Sequence, residues 1–218
     1  MRYAVYFCPA PDHALGKFGR DWFATASIPG IAENRLQALM ADARRYGWHA
    51  TLSAPFEFAE HANYEALHQK VADIAQSFAP FDLPLHIDLL SGFLALRPSA
   101  DETHIHALAE RCVRDLNPLR ASISKAAWDR RADRLDEVER ALFKEFGYPY
   151  VLDRFRFHMT LSAPATEDEQ HALRKYLLPK IAVSSVARID ALTICCEKKP
   201  GTDFEAIARI AFGQGQAG

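Results

Sequence analysis

Seven residues, His49-Ala50-Thr51-Leu52-Ser53-Ala54-Pro55, return almost unchanged as His158-Met159-Thr160-Leu161-Ser162-Ala163-Pro164. Only the second residue differs, and the two histidines lie 109 residues apart, half the chain. That spacing is far too wide for a short tandem array. It predicts two matched lobes of about 100 residues, each able to share in a substantial core, and each delivering one imidazole and one hydroxyl to a common site.

Both copies read as strands. Trp48 to Phe56 and Phe155 to Leu161 are rich in aromatic, Thr and branched apolar residues, with a proline close behind each motif. Side chains alternate along a strand, so His49 and Thr51 share one face while Ala50 and Leu52 take the other. The same parity pairs His158 with Thr160 and turns Phe157, Met159 and Leu161 toward a core. Packing alone is a poor reason for a polar pair on such a strand, because burying it without partners is costly.

Around the motifs, periodicity predicts strands at 2–8, 82–88, 93–97, 188–197 and 204–212, with Ser91-Gly92 turning a hairpin. Helices are expected at 13–25, 34–45, 63–78, 101–115 (capped by Ser99 or Asp101), 133–146 (stopped by Gly147) and 167–178. Residues 119–132 give no clean period, and the tail after Phe212 is expected to fray. No glycine-rich strand-to-helix turn is present, which argues against a dinucleotide fold. The expected class is α+β: antiparallel sheets lining a central cleft, helices outside, one bilobal catalytic domain over 1–218 with lobes near 1–100 and 101–218 and strand exchange between them left open.

A formal net charge of -2 with 25% charged residues lacks the basic excess that a bound duplex demands, although one local arginine suffices for a small or terminal phosphate. Neither a secretory signal nor a run of transmembrane length is visible, so no membrane is expected. Cys8, Cys112, Cys195 and Cys196 form no Cys-x-x-Cys pair, which fits reduced thiols and a cytoplasmic location. The expected partner is a small cyclic phosphodiester or an RNA end, and the expected state is a monomer.

Two histidines on opposite sides of phosphorus make a complete acid–base pair. One neutral imidazole takes a proton from attacking water while the other, protonated, donates to the leaving oxygen, and a reference pKa near 6.5 keeps both forms accessible. Thr51 and Thr160 can donate to the non-bridging phosphoryl oxygens, where charge builds up. The scheme needs no metal and no other cofactor. A cyclic phosphodiester suits it, since ring opening calls for one base and one acid in line.

The paired His-x-Thr-Leu motifs resemble the 2H phosphoesterase superfamily, which includes RNA 2',3'-cyclic phosphodiesterase and ligase-like proteins. Residues 2–7, 45–52, 92–98, 147–151 and 156–161 bring the chain closest to a phosphonate-metabolism-associated branch. The resemblance covers nearly the whole chain. It implies a pseudo-twofold bilobal fold, catalytic roles for His49 and His158, and phosphate contacts from Thr51 and Thr160. Relatives in this branch often carry a lysine where this chain has Ser53, which removes one phosphate-binding cation.

Further substrate-binding candidates are Arg156, two residues before His158 on the same strand face, then Tyr46, Tyr150, Arg130 and Arg131; Ser53 and Ser162 share the nominal motif faces, although a local turn bond suits them better. His104 and His106 diverge on a helix and are read as solvated, with His61 and His68 alike, and nothing repeats around His86. Trp22, Trp48 and Phe157 read as core anchors. The expected activity is hydrolysis of a cyclic phosphodiester on a nucleotide, RNA end or phosphorylated sugar. Its alternatives are RNA end ligation or exonucleolytic cleavage, and a non-catalytic sensor of phosphorylated ligands.

Overall fold

The computed structural model describes residues 1–213. Its strands are β1 (Arg2–Phe7), β2 (Ala50–Phe56), β3 (Phe81–Leu90), β4 (Phe93–Pro98), β5 (Met159–Thr160), β6 (Val186–Ile189), β7 (Ala191–Glu197) and β8 (Glu205–Ala211). They form one curled sheet in the order β6-β3-β4-β5-β2-β1-β7-β8, and every neighbouring pair is antiparallel. The α+β class and the antiparallel pairing are those expected, within a single sheet in which β2 and β5 are central neighbours.

The halves of that sheet do not coincide with residues 1–100 and 101–218. One half, β2-β1-β7-β8, combines the first strands of the chain with the last, and the other, β6-β3-β4-β5, draws its strands from the middle. The apolar run expected as a single strand at 188–197 is two: β6 pairs with β3 and β7 with β1, and the break falls at Asp190. Asp190 accepts from Arg209 Nη2 at 2.6 Å, a polar contact at the point where the chain passes between the halves.

Seven helices accompany the sheet among the described residues: α1 (Ala14–Phe23), α2 (Glu33–Tyr46), α3 (Tyr64–Gln76), α4 (Thr103–Leu116), α5 (Lys125–Arg131), α6 (Glu137–Phe146) and α7 (Glu167–Ile181). Helices α1 to α4 and α7 lay their apolar stripes on one sheet face, through Leu15, Leu36, Leu39, Leu67, Val71, Ile105, Leu108 and Leu173, all fully buried. Ala50, Leu52, Met159 and Leu161 meet them from β2, β5 and the residue after β5, as the alternation requires. The opposite face is left for the motif histidines and threonines.

Local chemistry explains most boundaries. Ser91 and Gly92, at φ 49° and 88°, turn the β3–β4 hairpin in the conformation that matches strand twist. Helix α6 opens on a reciprocal capping box between Asp136 and Glu139 and closes on Gly147 at φ 70°. Helix α4 departs from expectation: Glu102 is its N-cap and makes no side-chain cap bond, while Asp101 bonds Thr103 instead of serving as the cap. Part of the aperiodic 119–132 stretch forms α5, capped by Ser124. The expected fraying beyond Phe212 falls on residues 214–218, outside those described, apart from Gly213, whose N–H bonds Ala75 O at 3.1 Å.

Candidate active site

The two motifs meet at the centre of the sheet. Ala50 lies opposite Met159 in the β2–β5 pair, and continuing that antiparallel register sets Thr51 beside His158 and His49 beside Thr160. The arrangement has local pseudo-twofold symmetry about the Ala50–Met159 pair. Pairing continues on either side, with Tyr6 opposite Thr51 and Ala95 opposite Thr160.

Each imidazole is held in the same way. His49 Nδ1 lies 2.9 Å from Gly47 O, and His158 Nδ1 lies 2.8 Å from Arg156 O, in both copies the carbonyl two residues earlier. A carbonyl only accepts, so Nδ1 carries the proton and Nε2 is the nitrogen left for chemistry. Thr51 Oγ1 sits 3.4 Å from His49 Nε2. Such anchoring orients a ring at both ends before any substrate arrives.

Helix α1 braces both copies. Trp48 Nε1, next to His49, donates to Leu15 O at 3.0 Å, and Trp22 Nε1 donates to Leu161 O at 3.0 Å. Gly19 is the residue that permits this, because a Cβ there would stand 2.2 Å from the Trp48 indole. Trp22 and Phe157 are buried anchors, in keeping with the sequence reading.

The surroundings of the two rings are unequal. Tyr6 packs on His49 at a centroid distance of 4.1 Å, and Tyr46, itself stacked on Phe204 at 5.1 Å, stands 6.0 Å away. This enclosure pushes the His49 pKa down to about 4, mainly by desolvation, with a smaller push from the neighbouring His158. His158 faces Phe93 at 5.8 Å and opens onto a cleft of about 450 Å³. Its pKa is also lowered, by burial first and then by the charge of Arg97.

That cleft is walled by Thr51, Ser91, Phe93, Tyr148, Tyr150, Arg154, Arg156 and His158, with Glu139 at its side. Arg156 and Tyr150 therefore sit where the sequence suggested a substrate could meet them. Other candidates do not. Ser53 is buried and has left the motif face, since a bulge in β2 sets Val5 opposite Ser53 but Tyr6 opposite Thr51, turning Ser53 toward the helices. Ser162 is fully buried and accepts from Leu94 N at 3.3 Å. Tyr46 packs beside His49 rather than lining the cleft, and Arg130 and Arg131, at the end of α5, are not among the residues lining it, although Arg131 lies close enough to the wall residue Tyr148 for its charge to be felt there.

Sequence reading missed Tyr6, Arg97, Tyr148 and Arg154. Arg97 falls opposite His158 by the β4–β5 register and is tethered to Asp88 by an Nη1–Oδ2 contact of 3.0 Å. Only strand pairing reveals it, although Tyr148 and Arg154 could have been suspected from their closeness to the second motif. Among the described residues, no three His, Cys, Asp or Glu side chains converge as metal ligands, and no helix is long and apolar enough to cross a membrane.

Residues 51–205 match the family model described as protein of unknown function DUF1045. The chain belongs to this family. Two curated proteins named ribose 1,5-bisphosphate phosphokinase PhnN are similar to this DUF1045 chain. The Janthinobacterium sp. (strain Marseille) protein is 37% identical over 99% of the chain and 52% of its own length, and the Laribacter hongkongensis (strain HLHK9) protein is 36% identical over 77% and 41%. The chain thus spans about half the length of the curated relatives it matches. Among solved structures, TT0787 of Thermus thermophilus superposes with a TM-score of 0.53 at 13% identity, covering 99% of this chain and all of that one. What the two share is the fold, an α+β arrangement.

Proposed function

We propose that this DUF1045 protein is a 2H-type phosphodiesterase that opens a cyclic phosphodiester with two-histidine acid–base catalysis and no metal. The observation that carries the reading is the matched pair of imidazoles, each anchored through Nδ1 to the carbonyl two residues back and each left with Nε2 free for chemistry, on neighbouring strands joined at Ala50 and Met159. A protein that only bound phosphate would not need two imidazoles held in the same tautomer.

The unequal surroundings divide the roles. His49, closed in by Tyr6 and Tyr46, is the neutral base that takes a proton from water. His158, facing the open cleft where the organic part of a substrate fits, is the acid. Water oxygen bonds to phosphorus, the bond from phosphorus to the ring oxygen breaks, and that oxygen receives the proton from His158 Nε2. Thr51 and Thr160 donate to the non-bridging oxygens.

Among cyclic phosphodiesters, a 1,2-cyclic phosphate of ribose 5-phosphate is the substrate favoured here. Cleavage at O2 leaves phosphate on C1 and yields ribose 1,5-bisphosphate, the compound for which both half-matched relatives are named. A phosphonate-metabolism role, suggested by the branch resemblance, fits the same compound class. Turnover of ribose 1,2-cyclic phosphates and nucleoside 2',3'-cyclic phosphates in the presence of chelator, with phosphorus NMR to place the product phosphate, tests the reading. Binding without turnover by folded protein would favour a sensor.

A further inference from the structure

The repeat is symmetric in its chemistry and asymmetric in what precedes it. The carbonyl that anchors His49 belongs to Gly47, whereas the carbonyl that anchors His158 belongs to Arg156. At equivalent positions, two before each histidine, one copy thus carries no side chain and the other a guanidinium. Arg156 lines the cleft and Gly47 does not, while Tyr6 and Tyr46 pack against His49.

We infer that Arg156, backed by Arg154, forms a second anion subsite on the His158 side of the cleft, separate from the Thr51–Thr160 phosphoryl site, and that its ligand is a phosphate monoester on the non-reacting end of the substrate. This rests on the phosphodiesterase reading given above and assigns the residues that would hold the second phosphate of the substrate favoured there. Arg156 is exposed in the cleft wall and has no carboxylate partner among the described residues. A guanidinium so placed offers a two-pronged donor edge suited to a phosphate.

The neighbours limit what that ligand can be. Arg154 is partly committed, with Nη2 at 3.0 Å from Asp136 Oδ2, and Glu139 also lines the wall, so the subsite holds a single compact anion rather than a run of phosphates. Tyr148 and Tyr150, edge to face at 5.5 Å, supply a ring surface for the carbon skeleton between the two anions. A sugar phosphate fills such a space, while an extended RNA would have to pass the acidic Asp136–Glu139 corner.

Two measurements separate this inference from the reaction it builds on. The first is binding of ribose 5-phosphate, which has a monoester and no cyclic ester, by calorimetry to wild type, Arg156→Ala and Arg156→Lys. Losing a charge-assisted pair should weaken binding roughly 10- to 100-fold in Arg156→Ala, with partial recovery in Arg156→Lys. Equal affinity in wild type and Arg156→Ala overturns the subsite whatever the enzyme turns over. The second is the kcat/KM ratio between ribose 1,2-cyclic phosphates with and without the 5-phosphate, expected to favour the phosphorylated form by a similar factor in wild type and to collapse toward unity in Arg156→Ala. A ratio near one in active wild type overturns the inference and spares the phosphodiesterase reading. Ribose 5-phosphate binding that depends on Arg156, with no cyclic phosphate turned over, upholds the subsite and defeats the reaction.

Discussion

Ala50 stands directly opposite Met159, so the one position at which the two motifs differ is also the point where they touch. Both residues are fully buried. A small residue against a long one fills the shared space once, whereas two copies of either would leave a void or overfill it. Met159→Ala should therefore open a cavity and cost about 2–5 kcal/mol in a denaturant titration. Because the pair lies between the two imidazoles, kcat should fall as well under conditions where the variant is folded. Unchanged stability would mean that the motifs are held together elsewhere.

The two-histidine reading demands that neither ring be replaceable by the other. His49→Ala and His158→Ala should each lower kcat by a factor on the order of 10²–10⁴ on a cyclic phosphodiester, with circular dichroism unchanged. The double variant should be little worse than either single one, since residues acting as a unit are strongly non-additive. One variant retaining wild-type turnover would leave the pseudo-symmetric scheme without support.

Both imidazoles sit below their ordinary pKa, and this sets the pH profile. The base must be neutral, so activity rises as pH climbs past the His49 value of about 4. The acid must be protonated, so activity falls as pH passes the His158 value, which burial and Arg97 hold below 6.5. The kcat/KM profile of free enzyme is thus expected to be a bell with its maximum on the acid side of pH 6.5. In Arg97→Gln the alkaline limb should move upward, because a positive neighbour of His158 has gone, while the acid limb stays in place.

The site was legible in the sequence to the extent that it was written twice. Duplication with strand parity places His49, Thr51, His158 and Thr160 on one face, and the Ala50–Met159 pairing fits it, although of the strand expected at 155–161 only Met159–Thr160 forms, because the residues before it turn through a short helical segment at 152–154. Ser53 shows where parity fails: one extra residue in β2 reverses the face, and no composition signal marks a bulge whose cause lies in the pairing with β1. The single strand expected at 188–197 fails for a related reason, because uninterrupted apolar alternation says nothing about which partner each half pairs with. Tyr6 and Arg97 come from strands β1 and β4, and only the three-dimensional order of the sheet brings them to the histidines.

Gly19 offers a test of positioning that leaves the reacting groups untouched. A methyl there would stand 2.2 Å from the ring of Trp48, the residue that precedes His49 in the chain. Gly19→Ala must displace the indole or the helix, with an overpacking cost of about 1–3 kcal/mol. The Trp48 bond to Leu15 O should lengthen, and kcat should drop with little change in KM, because the backbone that shifts with Trp48 leads directly into His49. A change in tryptophan emission relative to wild type, compared in a Trp128→Phe background, checks the displacement of the α1–Trp48 contact.

Glu197 is a buried charge that ties together elements flanking the His49 enclosure. Its carboxylate is sealed from solvent, receives Arg2 Nε at 2.5 Å and Arg45 Nη2 at 2.6 Å, and accepts from Gly201 N at 2.9 Å. It thereby ties β1, the end of α2 and the β7–β8 turn into one unit, and Phe204, just beyond that turn, stacks on Tyr46 over His49. Glu197→Gln should cost about 2–3 kcal/mol, less than a fully enclosed pair because Arg2 and Arg45 keep 35% and 27% of their side chains in solvent. The bond to Arg2 holds the Glu197 pKa at about 2 against an ordinary 4.5, so its stabilisation is complete above pH 4.5 and is lost as pH falls toward 2. The stability gap between wild type and Glu197→Gln should accordingly narrow between pH 5 and 3. With the turn loosened and water admitted past Tyr46, His49 should titrate nearer 6.5, moving the acid limb of kcat/KM upward; a variant that loses stability yet keeps that limb near pH 4 would show that Tyr6 alone keeps His49 dry.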